Sequence, residues 1–572
     1  MKNTKVSTSV ARIQSSLVFF PSRNGLKMAA YIDKLEGQTE CLGYVVMAPK
    51  YGETKKNNLQ LAYNLAANGL KVLRFDHTNH VGESEGQMLR YTLPGAVEDI
   101  LGAYDYLERH HGILQAGLVA SSLAGRMAIR ATSLDKRINH LTCLVGVVNI
   151  QQTLAIVYQE DVVTNYLDGK RWGINDVLGF EIDFENFAAA MIESNLYSYS
   201  GTCEDLAAIH VPVSLLSAEN DPWVNVEEAR HAMSLTPQGD FHKIQNAMHE
   251  VRENPEAAQK TFLKITSICL EKSTGRKIQD HQLLAPDKKN LLEQNKVERQ
   301  RLKASNNETQ TEIDFWSQYL AKYKYFQNVD VYQEYINIVG QLLGDFRPGE
   351  ILLDAGCGNG MFGIWTIRNL LGKEKVIFDP PLIYSGLDLT HEGILEAAKN
   401  HNKLSGDLAK SQKLADKGIS FIYGSVDFNK ASDTSKSLGS PVISYAANTF
   451  DKICCSLLIS YLEDPSELVR QLFRVLKPGG KLVLSSMKPY CDLSDMYRSY
   501  AEKNLSAQSE QDIESGRNLL TAAGKIKFKE ELGIYKFYST EELSELLIDC
   551  GFIKLKALSS FGNQANIILA EK

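Results

Sequence analysis

The chain has 572 residues, 44% hydrophobic and 23% charged, so it is long enough for two or more domains and too apolar to be disordered. Its net charge of −7 excludes a nucleic-acid binder that works through bulk positive charge. No apolar run reaches the roughly 18–20 residues that span a bilayer, and the first twenty residues carry neither a long apolar stretch nor a clear cleavage site, so no membrane insertion and no signal peptide are expected. The nine cysteines (Cys41, Cys143, Cys203, Cys269, Cys357, Cys454, Cys455, Cys491 and Cys550) form no Cys-x-x-Cys pair, which points to a reduced, cytoplasmic protein without a metal site.

Along the first half, short buried-strand runs at Gly43 to Ala48, Val72 to Phe75, Gly117 to Ala120 and Val213 to Ser217 alternate with helical segments. One of these helices, Leu59 to Asn68, stops at Gly69. Strands alternating with helices predict a mostly parallel sheet. Residues 150–210 are rich in large apolar side chains, among them Tyr158, Trp172, Phe180, Phe184 and Phe187, and read as a cap over a pocket. Residues 273–312, with few aromatics, a basic cluster and a polar run, read as a solvated linker or linker helix. Beyond it, Glu350 to Asp354, Tyr384 to Asp388, Ile419 to Tyr423, Phe450 to Cys455 and Lys481 to Ser486 are strands, and Ile553 to Ser559 with Ala565 to Ala570 form a closing hairpin. The expectation is two tandem α/β domains, residues 1–272 and 313–572.

A strand runs into Ala120-Ser121-Ser122-Leu123-Ala124, and a helix follows. A nucleophile elbow is usually Gly-x-Ser-x-Gly, because the strained turn leaves no room for side chains beside the serine. Alanines fill both small positions around Ser122; Ser121 competes but lacks small residues on both sides. Asp221 follows another apolar strand and His249 comes 28 residues later, giving the order Ser, Asp, His. In that order His249 takes the serine proton and Asp221 fixes its tautomer.

Residues 15–270 resemble the lux-type acyltransferases of luminous bacteria, which act as fatty acyl-carrier thioesterases. The resemblance lies in Val72-Leu73-Arg74-Phe75-Asp76 with Asn79-His80-Val81-Gly82, in Ala120-Ser121-Ser122-Leu123, in Asn220-Asp221-Pro222-Trp223-Val224, and in His249 with Glu253-Asn254. It implies an α/β-hydrolase fold, Ser122 as nucleophile, Asp221 as acid, His249 as base, and an acyl carrier protein or acyl thioester as partner. It also implies oxyanion amides from Leu123 and, in Ala48-Pro49-Lys50-Tyr51-Gly52, from Tyr51. His77 and His80, just past a strand end, are expected to support a loop.

In the second half, Ile351-Leu352-Leu353-Asp354-Ala355-Gly356-Cys357-Gly358-Asn359-Gly360 is a strand, an acid and a glycine-rich turn that opens a helix. Asp354 would repel a pyrophosphate but suits a cationic amino-acid moiety, and Asp388 at the next strand end offers ribose hydroxyls an acceptor. With Phe450-Asp451-Lys452-Ile453, the turn Leu476-Lys477-Pro478-Gly479-Gly480 and Glu541-Glu542-Leu543 running to Gly551-Phe552, residues 313–572 resemble class I S-adenosylmethionine-dependent methyltransferases of Rossmann-like fold. The resemblance implies that Asp354, Gly356, Gly358 and Gly360 line the methionine part of S-adenosylmethionine and that Asp388 binds the ribose. It further implies that Ser425, Val426 and Asp427 flank the adenine, although Ser425 stands where an acid is frequent, and that Cys455, Ser456 and Leu457 close the site.

The last of the twelve histidines is His401; it and His391 are expected on a surface helix near the ribose edge. No histidine lies in the acceptor-binding segment 488–537. A carboxylate acceptor is already ionised at neutral pH and needs no general base, which favours a carboxyl acceptor; Tyr461, Tyr490, Tyr497 and Asp492 are the alternative bases. The expected function is a two-site enzyme: a thioesterase or acyltransferase releasing an acyl or polyketide-like chain, and a methyltransferase esterifying the released acid. The alternatives are methylation of a hydroxyl and one half serving only as a carrier-docking module.

Overall fold

The computed structural model describes residues 11–158, 160–305, 315–316, 319–320, 330–371, 379–411, 418–429, 443–491, 521 and 523–572. The chain divides into two compact units, residues 1–307 with 523–533, and residues 308–522 with 534–572.

The first unit is built on an eight-stranded sheet. It opens with an antiparallel pair, β1 (Ile13–Pro21) and β2 (Lys27–Leu35), followed by β3 (Gly43–Ala48), β4 (Leu70–Phe75), β5 (Ala116–Ser121) and β6 (Ile138–Leu144). A two-stranded ribbon, β7 (Ile174–Val177) with β8 (Phe180–Asp183), lies outside the sheet, and β9 (Val213–Ala218) and β10 (Gly239–Ile244) complete it. The order is β1-β2-β4-β3-β5-β6-β9-β10, antiparallel across β1, β2 and β4 and parallel thereafter. This is an α/β-hydrolase-like arrangement. The parallel strands inside the sheet are almost wholly buried, with Val45, Val72, Leu118 and Leu215 among the core residues, because helices cover both faces, whereas the edge strand β10 is mostly exposed or half-buried. Helix ends follow local chemistry. Thr92 caps Leu93–His111 by accepting from the Gly95 N–H, and Gly112 ends it at φ 65°. Residues 150–207 hold four short helices and the β7–β8 ribbon, with Phe184, Phe187 and Met191 buried.

The stretch read as a solvated linker or linker helix is a helix over Lys288–Ser305, with Glu298 and Leu302 buried. Its Glu298 is buried in a bidentate ion pair with Arg74 of β4, at 2.6 and 2.7 Å, while Arg74 also holds Asp33 of β2 at 2.6 Å. A buried guanidinium needs such partners, and these lie 41 and 224 residues away in sequence.

The second unit carries β11 (Ile351–Ala355), β12 (Leu382–Asp388), β13 (Ile419–Ser425), β14 (Phe450–Cys455), β15 (Leu476–Met487), β16 (Ile553–Ser560) and β17 (Ala565–Glu571). The order β13-β12-β11-β14-β15-β17-β16 reverses at β11, and β17 is antiparallel to both neighbours. This is the Rossmann-like arrangement of methyltransferases, and its strand ends at β11 and β12 are where ligands bind in such sheets. Among the described residues no helix is long and apolar enough to cross a membrane.

Candidate functional sites

In the first unit, β5 ends at Ser121 and the chain turns abruptly at Ser122, whose φ of 53° and ψ of −128° are outside the ordinary regions for a residue with a side chain. Helix Leu123–Leu134 starts at the next residue. The buried alanines at 120 and 124 flank the turn, and a Cβ on Gly125 would meet the Gly146 backbone at 2.9 Å, so small residues let helix and sheet close on the elbow. The turn is held by the Ser122 carbonyl, which accepts from Gly125 and Val147 N–H groups at 2.9 and 3.0 Å.

Ser122 Oγ lies 2.7 Å from His249 Nε2, and His249 Nδ1 lies 2.8 Å from Asp221 Oδ2. The other carboxylate oxygen of Asp221 accepts from the Trp223 and Val224 N–H groups at 2.9 and 3.1 Å, which fixes the acid in orientation. The three residues expected from sequence therefore meet in one hydrogen-bonded line. The competing Ser121 lies in the sheet, paired with Leu144.

Leu123 is the first residue of its helix, so its N–H has no acceptor within that helix. Tyr51 sits in the turn after β3, its hydroxyl donating to the Val177 carbonyl at 3.1 Å. The next residue, Gly52 (φ 79°), donates its N–H to His80 Nε2 at 3.0 Å. His80 is thus a neutral acceptor, and burial pushes its pKa well below the ordinary histidine range. His77 is held by Asp99 at 3.2 Å. Both histidines support loops, as expected; that His80 anchors the Tyr51 turn had no local signal in the sequence.

In the second unit, Gly356, Gly358 and Gly360 have φ values of 78°, 50° and 87° and form an open cradle between β11 and helix Met361–Leu371. A Cβ on Gly356 would meet Leu458 at 3.1 Å, and one on Gly360 would meet His401 at 2.4 Å. Asp388 Oδ2 accepts from the Gly358 N–H at 2.8 Å, and Oδ1 accepts from the Thr390 N–H and hydroxyl at 2.9 and 2.8 Å. A carboxylate has about four acceptor positions, so Asp388 keeps room for one more donor. Asp354 is buried, accepts the Tyr384 hydroxyl at 2.5 Å, and is pushed up to about 7 by burial, with the charge of Asp388 adding to the shift. The side-chain amide nitrogen of Asn359, buried in the same turn, has no hydrogen-bond partner among the described residues. A glycine cradle flanked by two acids and an unsatisfied buried donor fits a cofactor with a cationic amino-acid end and a ribose.

Two expectations change. His401 is fully buried rather than on a surface. It lies on the inner stripe of helix His391–Ser411 with Ile394, Ala397 and Ser405, donating to the Gly360 carbonyl at 2.6 Å and contacting the Tyr423 hydroxyl at 2.7 Å. His391, at the same helix's start, is exposed. Cys455 is fully buried and packs with Leu353, Ala355 and Ile453 in the core against the sheet, so its thiol does not line the site. Around the adenine position, the Val426 N–H is committed to the Asp388 carbonyl at 2.7 Å, the Ser425 hydroxyl is 3.4 Å from the Leu389 carbonyl, and Asp427 accepts from the Asn429 N–H at 3.0 Å. Beside the cradle, Leu320 approaches Gly358, while Trp316, Tyr461 and Tyr535 pack with ring centroids 4.5–6.0 Å apart. Of the alternative bases, Tyr461 and Tyr490 are described, whereas Asp492 and Tyr497 lie outside the described residues.

A family model described as acyl transferase matches residues 39–308, and one described as methyltransferase domain matches residues 326–556. The acyl transferase of Photobacterium phosphoreum is 27% identical over 228 residues, 40% of this chain and 74% of that protein. Those of Vibrio harveyi and Photorhabdus luminescens are 26% and 25% identical, over 42% and 40% of this chain and 79% and 75% of theirs. Among solved structures, Est1E from Butyrivibrio proteoclasticus aligns with a TM-score of 0.36 at 16% identity, covering 44% of this chain and 96% of its own.

Proposed function

We propose, for an enzyme that carries an N-terminal lux-type acyl transferase domain and a C-terminal methyltransferase domain, that the first site releases an acyl chain from a carrier thioester and the second esterifies the freed acid. The observation that carries this reading is the Ser122–His249–Asp221 line on a strained turn, in the same chain as a glycine cradle bonded to Asp388, with Asp354 buried in the strand that leads into it.

In the first site Ser122 Oγ attacks the thioester carbonyl while His249 Nε2 takes its proton. The Leu123 amide, with that of Tyr51, bears the charge developing on the carbonyl oxygen. The carrier thiol leaves with the proton from His249. Water, deprotonated by the same imidazole, then splits the acyl-serine ester and yields a carboxylic acid. Asp221 holds the imidazole in the tautomer that accepts at Nε2.

In the second site S-adenosylmethionine, when bound, supplies an electrophilic methyl group. Gly356, Gly358 and Gly360 would let the backbone approach it, Asp354 would meet its ammonium group, and Asp388 would accept from a ribose hydroxyl. The acceptor is a carboxylate, because it needs no base and the last histidine of the chain, His401, is locked under the glycine turn. Tethering the two activities raises the effective concentration of the intermediate.

The test is mass spectrometry of products from acyl-carrier thioesters, with and without S-adenosylmethionine. The expected products are methyl ester with the cofactor and free acid without it. A methyl group on a hydroxyl of the chain would overturn the carboxylate assignment, and intact thioester in both reactions would overturn the release step.

A further inference from the structure

The segment 523–533 lies between stretches of chain that belong to the second unit, yet it is part of the first. It reads Ala523-Gly524-Lys525-Ile526-Lys527-Phe528-Lys529-Glu530-Glu531-Leu532-Gly533 and is helical over residues 523–531. Its contacts fall on the two loops that carry the acyl-transfer groups. Lys527 Nζ is 3.3 Å from Glu250, the residue after His249, and the same buried carboxylate is held by Lys50 and Arg252. Lys50, one residue before Tyr51, also pairs with Glu53 at 3.3 Å. Glu531 accepts from Asn57 Nδ2 at 2.7 Å, and the Asn57 carbonyl accepts from Arg252 at 2.8 Å. Glu530 pairs with Lys56 and Arg299, each at 3.3 Å.

The apolar side is equally specific. Phe528 meets Phe180 of the cap edge to face at 5.0 Å, and Phe180 in turn abuts Tyr51 at 5.5 Å and sits where a Cβ on Gly52 would be, 2.7 Å away. Gly524 lies backbone to backbone on Gly179, so a Cβ on Gly524 would meet the Leu178 carbonyl at 2.6 Å. The cations of this cluster hold Glu250 well below the usual carboxylate range against the penalty of burial, so it is a fixed anion between the two loops.

We infer that segment 523–533 is a built-in clamp of the acyl-transfer site, with Lys527 and Phe528 as positioning residues that hold the His249 loop and the Tyr51 turn at the spacing acylation of Ser122 requires. This rests on the acyl-transfer reading above. Lys527 fixes the base side through Glu250, and Phe528 fixes the oxyanion side through Phe180 and Gly52. Acyl transfer consequently depends on residues more than 200 positions beyond the end of helix Lys288–Ser305, within the stretch whose sequence matches a methyltransferase.

The experiment uses the full chain and a serine-directed alkyl phosphonate, whose rate of attachment to Ser122 reads the poise of the site without a known substrate. Lys527→Ala, Phe528→Ala and Gly524→Ala should each slow labelling by about 10–100-fold, the cost of a misplacement near 1 Å. The loss should fall on the first-order labelling step rather than on half-saturation. Lys527→Arg should restore most of the rate, and S-adenosylmethionine affinity by calorimetry should stay at the wild-type value. If an alanine variant loses cofactor binding and melts early, Lys527→Gln and Phe528→Leu replace it. Labelling within threefold of wild type in the folded variants would overturn the clamp. Wild-type protein that is not labelled at Ser122 at all would instead overturn the acyl-transfer reading on which it rests.

Discussion

Replacing Asp221 by asparagine changes one atom of the acyl-transfer site and tests the proton relay directly. The carboxylate has two distinct sides: Oδ1 accepts from two backbone N–H groups, those of Trp223 and Val224, and Oδ2 accepts from His249 Nδ1. An asparagine must place its carbonyl oxygen toward the two amides, since turning its NH2 that way leaves two buried donors unsatisfied at about 1–3 kcal/mol each. The NH2 then faces His249 Nδ1, which becomes an acceptor, and the ring proton moves to Nε2. At 2.7 Å from Ser122 Oγ that nitrogen now donates and cannot take the serine proton. The wrong tautomer should cost about 10⁴-fold in acylation rate, or about 5.5 kcal/mol of transition-state stabilisation, with the fold intact. Stopped-flow release of nitrophenol from a short acyl nitrophenyl ester, with circular dichroism as a control for folding, measures it. Activity of Asp221→Asn within tenfold of wild type would refute the relay and leave the short contacts as packing.

Three other outcomes follow from the geometry. Asp388→Ala should weaken S-adenosylmethionine binding by roughly 10–150-fold, from about 1.5–3 kcal/mol for one charge-assisted bond together with loss of the Gly358 anchor; calorimetry that shows unchanged affinity would place the ribose elsewhere. Because burial pushes Asp354 up to about 7, its carboxyl is largely protonated in the free protein at pH 6 and must ionise to meet a cationic ammonium. Tyr384, Cys454, Cys357 and Asp388 are the titratable groups around it, and none carries a positive charge that would offset this. Cofactor affinity should therefore climb with pH up to about 7 and level off above, and an affinity that is flat from pH 6 to 8 would contradict the pairing. Glu298→Ala should destabilise the first unit by about 3–5 kcal/mol, since it strips a partner from the fully buried Arg74; urea unfolding followed by tryptophan fluorescence reads it, and a loss below 1 kcal/mol would show the Asp33 pair suffices.

The parts legible in the sequence share a physical cause. The central parallel strands are buried on both faces, so they appear as short continuous apolar runs such as Val45 to Ala48 or Ile351 to Leu353. The elbow could be read despite its alanines because the constraint is steric, and alanine meets it at 120 and 124. The β1–β2 pair escaped notice: β1 lies at the sheet edge, with most of its side chains only partly buried, and its apolar alternation is weak. His401, expected on a surface helix, shares one helical stripe with Ile394 and Ala397, and its partner is a backbone carbonyl at Gly360, which side-chain pattern does not reveal. Glu298 and Lys527 look like solvated charges on polar helices. Their partners, Arg74 and Glu250, lie 224 and 277 residues away, and only the fold brings them together.

The most direct measurement of the account is the product spectrum of the Ser122→Ala chain supplied with S-adenosylmethionine and either an acyl-carrier thioester or the corresponding free acid. The account predicts methyl ester from the free acid at the wild-type rate and none from the thioester, because release precedes methylation and only release needs Ser122. Methyl ester from the thioester, or a methyl group that appears only while the acyl chain is still on its carrier, would contradict it.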